Sequence, residues 1–466
     1  MSASSSTPNC PSCRKVYPHI NLARLKKLLY TGYLTFDEVQ LAPEPSFHSK
    51  SGTIIDQVNY GQGTLLIEPP EEPELATHSL VFMFTSACTS VSFPVAHFHT
   101  RSLDAEKLLA LTHQVAVTLI DVCGMDLVNL NADGAPTNRS SAKSLDGGDR
   151  DDNGLPLDKS IGAYSPLHNA LIYMQDPPHA YKKLRNSLFN KNRKLQYCKQ
   201  RMTWDIVRDL LKLKAARAGQ GITPLRSVTS DSVNLTAWSK MRVGLTAGIM
   251  NAEVADAIKD LLPKGPGASG TEEYIRKVAK FYEIMTDRER PFENMLDPRF
   301  AELDKIVQWF TEWKTWVDEQ VMVGEALPNA TEEEQKVRTS RISDSKSMFI
   351  TDEAYQDLCI CVNGFKASPR YLFSRFDFMH IYPRSCSTNS LETFFALARA
   401  PGGHDSRVTA RHMHVAHVHF LSIRAYASHL QQLKTSYEMP EVEDEEDEDA
   451  KVGDEVIEDA VSLMSG

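Results

Sequence analysis

Apolar and polar positions alternate through Gly32-Tyr33-Leu34-Thr35-Phe36-Asp37-Glu38-Val39-Gln40-Leu41, the period of two expected of a strand, with an acid in its middle. If Phe36 and Val39 pack, Asp37 is held on rigid backbone at the edge of a core, where a carboxylate needs a hydrogen bond or a cation. Gly52 to Val58 predicts a second strand, and His78 to Thr85 with Ser90 to His99 a third and a fourth; Gly, Pro and Asn lie between them, as in an antiparallel meander. Leu103 to Val122 changes to helical spacing through Leu108, Leu109, Leu111, Val115, Val117, Leu119 and Ile120. The apolar run Asp126 to Ala132 then ends at a second acid, Asp133. Arg139 to Tyr164, rich in Gly, Asp and Ser, reads as a loop, and Ala170 to Met174 as a last strand. Asp176-Pro177-Pro178-His179 opens a helix by proline-directed initiation. Ahead of all these, Asn21 to Tyr30 predicts a short amphipathic helix.

From Trp204 to Phe349 the pattern is helical almost throughout, with elements expected over Trp204–Ala215, Leu235–Leu262, Glu272–Met285 and Phe300–Val321. Pro263 to Gly267 is a break, and the charged stretch Pro328 to Arg341 is expected to be mobile. Trp309, Trp313 and Trp316 recur at helical spacing and read as core. Helix resumes over Ile350–Tyr371, and a third acid, Glu392, lies within Ser390-Leu391-Glu392-Thr393-Phe394-Phe395.

Composition adds three constraints. With 466 residues the chain has room for two or three domains, and its 42% hydrophobic content holds no run of 18 apolar residues, so no membrane span is expected. The Ser-rich start, Met1 to Pro8, lacks the basic and apolar regions of a signal peptide, and scattered cysteines fit reduced thiols in the cytosol or nucleus. Cys10 and Cys13 have zinc-knuckle spacing without a second pair. The net charge of −10 is concentrated at one end, because Glu438 to Asp459 holds thirteen acids and one lysine. That tail is expected to be a disordered appendage, and the body it leaves is nearly neutral.

Three clusters of residues carry candidate chemistry. Asp37, Asp133 and Glu392 each border an apolar element, and three such acids suit hard cations such as Mg²⁺ or Mn²⁺. Between Tyr181 and Arg201 stand Lys182, Lys183, Arg185, Lys191, Arg193, Lys194, Lys199 and Arg201 with no acid; this is either a face for a phosphate backbone or a solvated helix. Arg411 to His419 holds His412, His414, His417 and His419, read either as a metal or phosphate contact or as an ordinary amphipathic helix.

Three antiparallel strands, a helix and a further strand, with acids on the first and last of these strands, is the order of a ribonuclease H-like sheet. The chain also resembles the P-element class of DNA transposases, whose complete members carry a THAP zinc finger. The matching stretches are Asp37-Glu38-Val39, Ile55-Asp56 with Val58, His78 to Met83, Asp133 to Arg139, Asp176 to His179 with Lys183 and Arg185-Asn186, Lys240 to Val243, and Ser390 to Phe395 with Arg399 and Gly402-Gly403. The zinc finger has no counterpart among these residues; Asn389 replaces a common Asp, and Arg407-Val408 a common Asn-Pro.

The resemblance implies an α/β ribonuclease H-like core, a mixed five-stranded sheet with helices, interrupted by a large all-α insertion domain. The expected division is a short amino-terminal segment (1–30), the first part of the core (31–190), a helical insertion of the GTP-binding type (191–380), the rest of the core with the glutamate helix (381–435) and the acidic tail (436–466). The implied activity is metal-dependent DNA cleavage and strand transfer by Asp37, Asp133 and Glu392. Transposon-end DNA, a homo-oligomer and the nucleus are the implied partners and location. GTP would fall to Lys240, Arg242, Glu283 and Thr286, the last two standing where the family commonly presents Asp and Asn to guanine. The alternative is a domesticated or truncated relative that binds DNA or protein without catalysis.

Overall fold

The computed structural model describes residues 29–42, 47–48, 53–54, 57–60, 74–89, 91–145, 171–217, 225–325, 332–376, 380–400 and 408–421. The expected helix over Asn21–Tyr30 falls almost wholly outside these residues, as do Cys10, Cys13 and the acidic tail.

Five strands make the central sheet: β1 (Thr31–Gln40), β2 (His78–Ser86), β3 (Ser92–Thr100), β4 (Asp126–Ala132) and β5 (Ile172–Gln175). Their order is β3-β2-β1-β4-β5, antiparallel through β3, β2 and β1 and parallel from β1 to β4 to β5. The sheet is mixed and five-stranded, as expected. The second strand expected at Gly52–Val58 does not join it. Within that span Thr53–Ile54 pairs with Phe47–His48, and Gln57 bridges Leu75.

Period-two alternation divides the sheet faces. Leu34, Phe36, Leu80, Phe82, Phe84 and Phe98 face α1 (Ala105–Val117), whose Leu108, Leu111 and Val115 complete one core. Asp104 caps that helix by accepting from Lys107 N at 2.8 Å. The opposite face is covered by α3 (Pro177–Phe189), α9 (Asp352–Arg375) and α10 (Asn389–Arg399). Gly364 lets α9 press on β5, since a Cβ there would stand 2.7 Å from the Tyr173 carbonyl oxygen.

Between α3 and α9 lie α4 (Trp204–Ala216), α5 (Ala252–Leu261), α6 (Pro266–Met285), α7 (Pro298–Glu325) and α8 (Glu332–Ser347), with α2 (Pro136–Leu145) earlier in the chain. One continuous core runs from Tyr33, Val128 and Met174 of the sheet into Trp313, Phe310 and Phe281 of this helical block. Trp309 and Trp313 are core, as their spacing predicts.

Four expectations change. The loop expected from Arg139 begins inside α2, which Pro136 starts; residues 146–170 lie outside the description. The single helix expected over Leu235–Leu262 is divided into Ser239–Met241, Val243–Ala247 and α5, because Asn251 caps a new start by accepting from Val254 N at 2.9 Å. The stretch expected to be mobile carries α8 from Glu332. Helix α3 stops at Phe189 instead of running through the basic segment, whose end forms a small hairpin, Gln196–Tyr197 with Gln200–Arg201.

Candidate metal centre

In the parallel pair β1 and β4, Thr35 is the register partner of Asn131. Two residues further along each strand stand Asp37 and Asp133, so neighbouring strands present both acids at their carboxyl ends on one face. The Asp133 carboxylate accepts from Asn138 Nδ2 at 2.7 Å and from Ala135 N at 2.9 Å, which fixes it at the start of α2. Asp37 is partly buried and accepts from Glu38 N at 2.8 Å. Burial, then the charge of Asp133, then that of Glu392 push its carboxyl up to about 7, against the pull of His179. Two neighbouring carboxylates thus oppose the ionisation of Asp37.

Glu392 arrives from the far end of the chain. Leu391, Phe394, Phe395 and Ala398 of α10 pack on Val39, Val81 and Met83 of the sheet, which leaves Glu392 exposed in the first turn of the helix. Ahead of that turn, Thr388 N donates to Asp176 at 2.8 Å, and Asn131 Nδ2 donates to the Cys386 carbonyl at 3.2 Å. Among the described residues no three His, Cys, Asp or Glu side chains are drawn together tightly enough to hold one ion as they stand. The three acids instead form a looser electrostatic cluster.

Two supports for this cluster lay beyond sequence reasoning. Asp176 is fully buried, caps α3 through His179 N at 3.1 Å and accepts from His179 Nδ1 at 2.6 Å. Burial alone would raise its pKa, but the bonds from His179 and Thr388 hold it below the ordinary carboxylate value, and the same pairing raises His179 against its own burial. Asp357 of α9, also buried, pairs with Lys183 and, at 3.1 Å, with Arg139. Lys183 Nζ further donates to the Gly134 carbonyl at 3.1 Å, so α3 grips the backbone next to Asp133. A Cβ at Gly134 would run into both Asp357 and Lys183.

The basic segment is not one exposed face. Lys182 is only 8% exposed and stands among acids: burial lowers its pKa, and Asp176, Glu392, Asp37 and Asp133 draw it back up. Lys183 and Arg185 also turn inward, Arg185 donating to the Lys240 carbonyl at 2.8 Å. Arg193 donates to the carbonyls of Lys346 and Phe349, and Lys194 pairs with Asp344. Lys191, Lys199 and Arg201 are exposed. The expectation of eight outward cations is corrected for Lys182, Lys183 and Arg185, because α3 is sandwiched between the sheet and the helical block.

The four residues expected to bind GTP are engaged locally. Lys240 lies over the Phe189 ring at 4.9 Å and Arg242 over Trp238 at 4.8 Å. Glu283 pairs with Lys280 and Arg290, and Thr286 Oγ1 donates to the Tyr282 carbonyl at 2.7 Å. Beside Glu283 a cleft of about 880 Å³ opens along the stacked rings of Tyr181 and Tyr282, with Arg276, Lys277 and Lys280 on its wall. Lys240, Arg242 and Thr286 do not line it, so the four residues do not form one ready nucleotide site.

Residues 21–146 match the TNP-like, RNase H N-terminal domain, and residues 178–296 match the TNP-like, GTP-binding insertion domain. No curated protein matches the chain by sequence. Among solved structures, the Drosophila P element transposase strand transfer complex is similar at a TM-score of 0.55 and 15% identity, over 84% of this chain and 76% of that one. The fold, a ribonuclease H-like sheet interrupted by a helical insertion, is that of the P element transposase structure, and with two successive TNP-like domain matches that together span more than half of its residues the chain belongs to the TNP-like family.

Proposed function

We propose that the chain cuts and joins DNA, using divalent cations held by Asp37, Asp133 and Glu392. The observation that carries this reading is the pairing of Asp37 and Asp133 at the ends of adjacent parallel strands, with Glu392 contributing to the raised pKa of Asp37. The donors fit the ion: all three are carboxylates, the hard oxygen ligands that Mg²⁺ and Mn²⁺ prefer, and a divalent charge relieves the repulsion lodged on Asp37. Divalent cations held by these carboxylates would supply the chemistry that activates water or a DNA 3′-hydroxyl and stabilises the leaving oxygen.

The protein's own groups prepare that chemistry. Asn138 and the Ala135 amide orient Asp133, and Asp176 fixes the approach to Glu392 through Thr388. Lys182 supplies a cation beside the acids that suits a backbone phosphate. Lys191, Lys199 and Arg201 extend positive charge outward along the hairpin, where the DNA backbone would run. Transposon-end DNA, self-association and a nuclear site of action complete the reading. A metal-titrated plasmid-nicking assay tests it: the unsubstituted protein is expected to nick only with Mg²⁺ or Mn²⁺, and Glu392→Gln to show no nicking. Equal activity in both would reject the assignment.

A non-catalytic, DNA-binding relative is the second reading, favoured by the looseness of the acid cluster. It predicts DNA retention without nicking at every metal concentration in the same assay.

The raised pKa of Asp37 gives a separate, structural readout. In metal-free protein the folded state keeps the Asp37 proton up to about pH 7, whereas an unfolded aspartate releases it near about 3.9. The stability this group contributes is complete below the unfolded value and is lost as pH rises through about 7, where a cation takes the proton's place. Millimolar Mg²⁺ is therefore expected to raise the melting temperature more at about pH 8 than at about pH 6. Asp37→Asn should erase that difference, and an equal increment at both pH values in the unsubstituted protein would contradict it.

A further inference from the structure

On the sheet face opposite α1, strand β3 carries two histidines, His97 and His99, at the i and i+2 positions that share a face. The helix over residues 410–421, α11, brings His414 and His417, three apart, toward the same place. The ring centroids of His97 and His99 are 5.3 Å apart, and so are those of His97 and His417. His414 lies near enough to act electrostatically on both His97 and His417.

We infer that His97, His99 and His417, with His414 at the outer edge, form a binding site for a transition-metal ion, Zn²⁺ by its ligand chemistry, that joins β3 to α11. The spacing is the first argument. Two imidazoles on a tetrahedral zinc ion, with Zn–N near about 2.05 Å, place their ring centroids about 5.2 Å apart. Both adjacent pairs here have that separation. Among the described residues no three such side chains are drawn together tightly enough to hold an ion as they stand, so the ion would close the site by rotating rings whose centroids are already at the right distance.

Polarity is the second argument. The rings stand in a layer that includes apolar groups, with Val81 as the cross-strand partner of His97 and Phe394 beside His417. Within it His417 Nδ1 is buried without a hydrogen-bond partner, and so is the hydroxyl of Ser79, directly across the ladder from His99. Burial, reinforced by the neighbouring histidines, holds His97 down to about 3 and lowers His417 too, which keeps both neutral at pH 7. Neutral imidazole is the form that binds metal. A ligand set of imidazoles without thiolate or carboxylate suits zinc better than Mg²⁺ or Mn²⁺, which sets this site apart from the acid cluster.

The site also has a structural consequence. His417 packs against Phe394 of α10, two residues after Glu392, so an ion here would brace the helix that carries the third acid from behind.

The test is Zn²⁺ binding by the full chain, read by competition with a chromophoric chelator and by the visible spectrum of the Co²⁺ form. The expected result is one ion with a four-coordinate cobalt spectrum lacking thiolate charge-transfer bands. His97→Gln and His417→Gln should each weaken binding by about 100-fold or more, and His412→Gln, whose ring lies by Thr409 at the helix start, should not. Should a buried substitution unfold the protein, as circular dichroism would show, the exposed His414→Gln serves in its place and is expected to weaken binding about tenfold. Asp133→Asn is expected to bind Zn²⁺ like the unsubstituted protein, which separates this site from the nuclease proposal. No bound zinc, zinc held through thiolates, or undiminished affinity in the folded histidine variants would overturn the inference.

Discussion

Asp133→Asn is expected to lower metal-dependent nicking by at least about 10³-fold, equivalent to about 4 kcal/mol of transition-state stabilisation, while the far-ultraviolet circular dichroism and the melting temperature stay unchanged. The fold should survive because the substituted side chain keeps an oxygen where Asp133 Oδ1 accepts from Asn138 and from the Ala135 amide. What disappears is the negative charge beside Asp37. With one repelling neighbour gone, the Asp37 carboxyl is expected to titrate at lower pH, which nuclear magnetic resonance of a labelled aspartate would detect. The two readouts must move together. Lost nicking with an unmoved Asp37 titration would mean that the two acids do not share a site.

Asp176→Ala is expected to have the largest effect on stability, a loss of about 3–5 kcal/mol measured by urea denaturation, as found when one partner of a buried ion pair is removed. The carboxylate has no solvent exposure, and its loss takes an acceptor from three donors: His179 Nδ1 and Thr388 N, and His179 N, which keeps only the Asp176 carbonyl. Two of them start α3, and the third is the turn before Glu392. Asp176→Asn keeps an acceptor for the amides but not the charge that His179 needs, so it should fall between alanine and the original. A loss below about 1 kcal/mol for alanine would show that the Thr388 and His179 bonds contribute little.

Alternation along β1 and the apolar runs of β2 and β4 made the sheet legible, because these central strands are packed on both faces. Leu34, Phe36, Leu80 and Phe82 announce their strands without knowledge of their neighbours. The acid pair was legible for a related reason, since Asp37 and Asp133 each follow such a run. What the sequence hid was direction and distance. Lys182, Lys183 and Arg185 look solvated because charge density says nothing of which way a helix faces, and α3 is covered on nearly every side. The partner of Lys183 lies 174 residues further along the chain, in a helix that periodicity reads as plain core. The division of Leu235–Leu262 was missed for a different reason: a capping asparagine in mid-pattern counts for little in a periodicity and decides the geometry locally. The histidines at 97 and 99 drew no attention because the strand pattern absorbed them, and their counterparts at 414 and 417 lie more than three hundred residues away.

The placement of the helical block between the second acid and the third has a bearing on synthesis. A nascent chain emerging from the ribosome exposes β1 and β4 first, with Asp37 and Asp133 on neighbouring strands, but one side of that sheet is covered only in part, by α3, until α9 and α10 follow. Glu392 emerges later still. For most of translation the polypeptide thus holds two of the three acids proposed to bind metal, and the set is complete only after almost all of the folding is done.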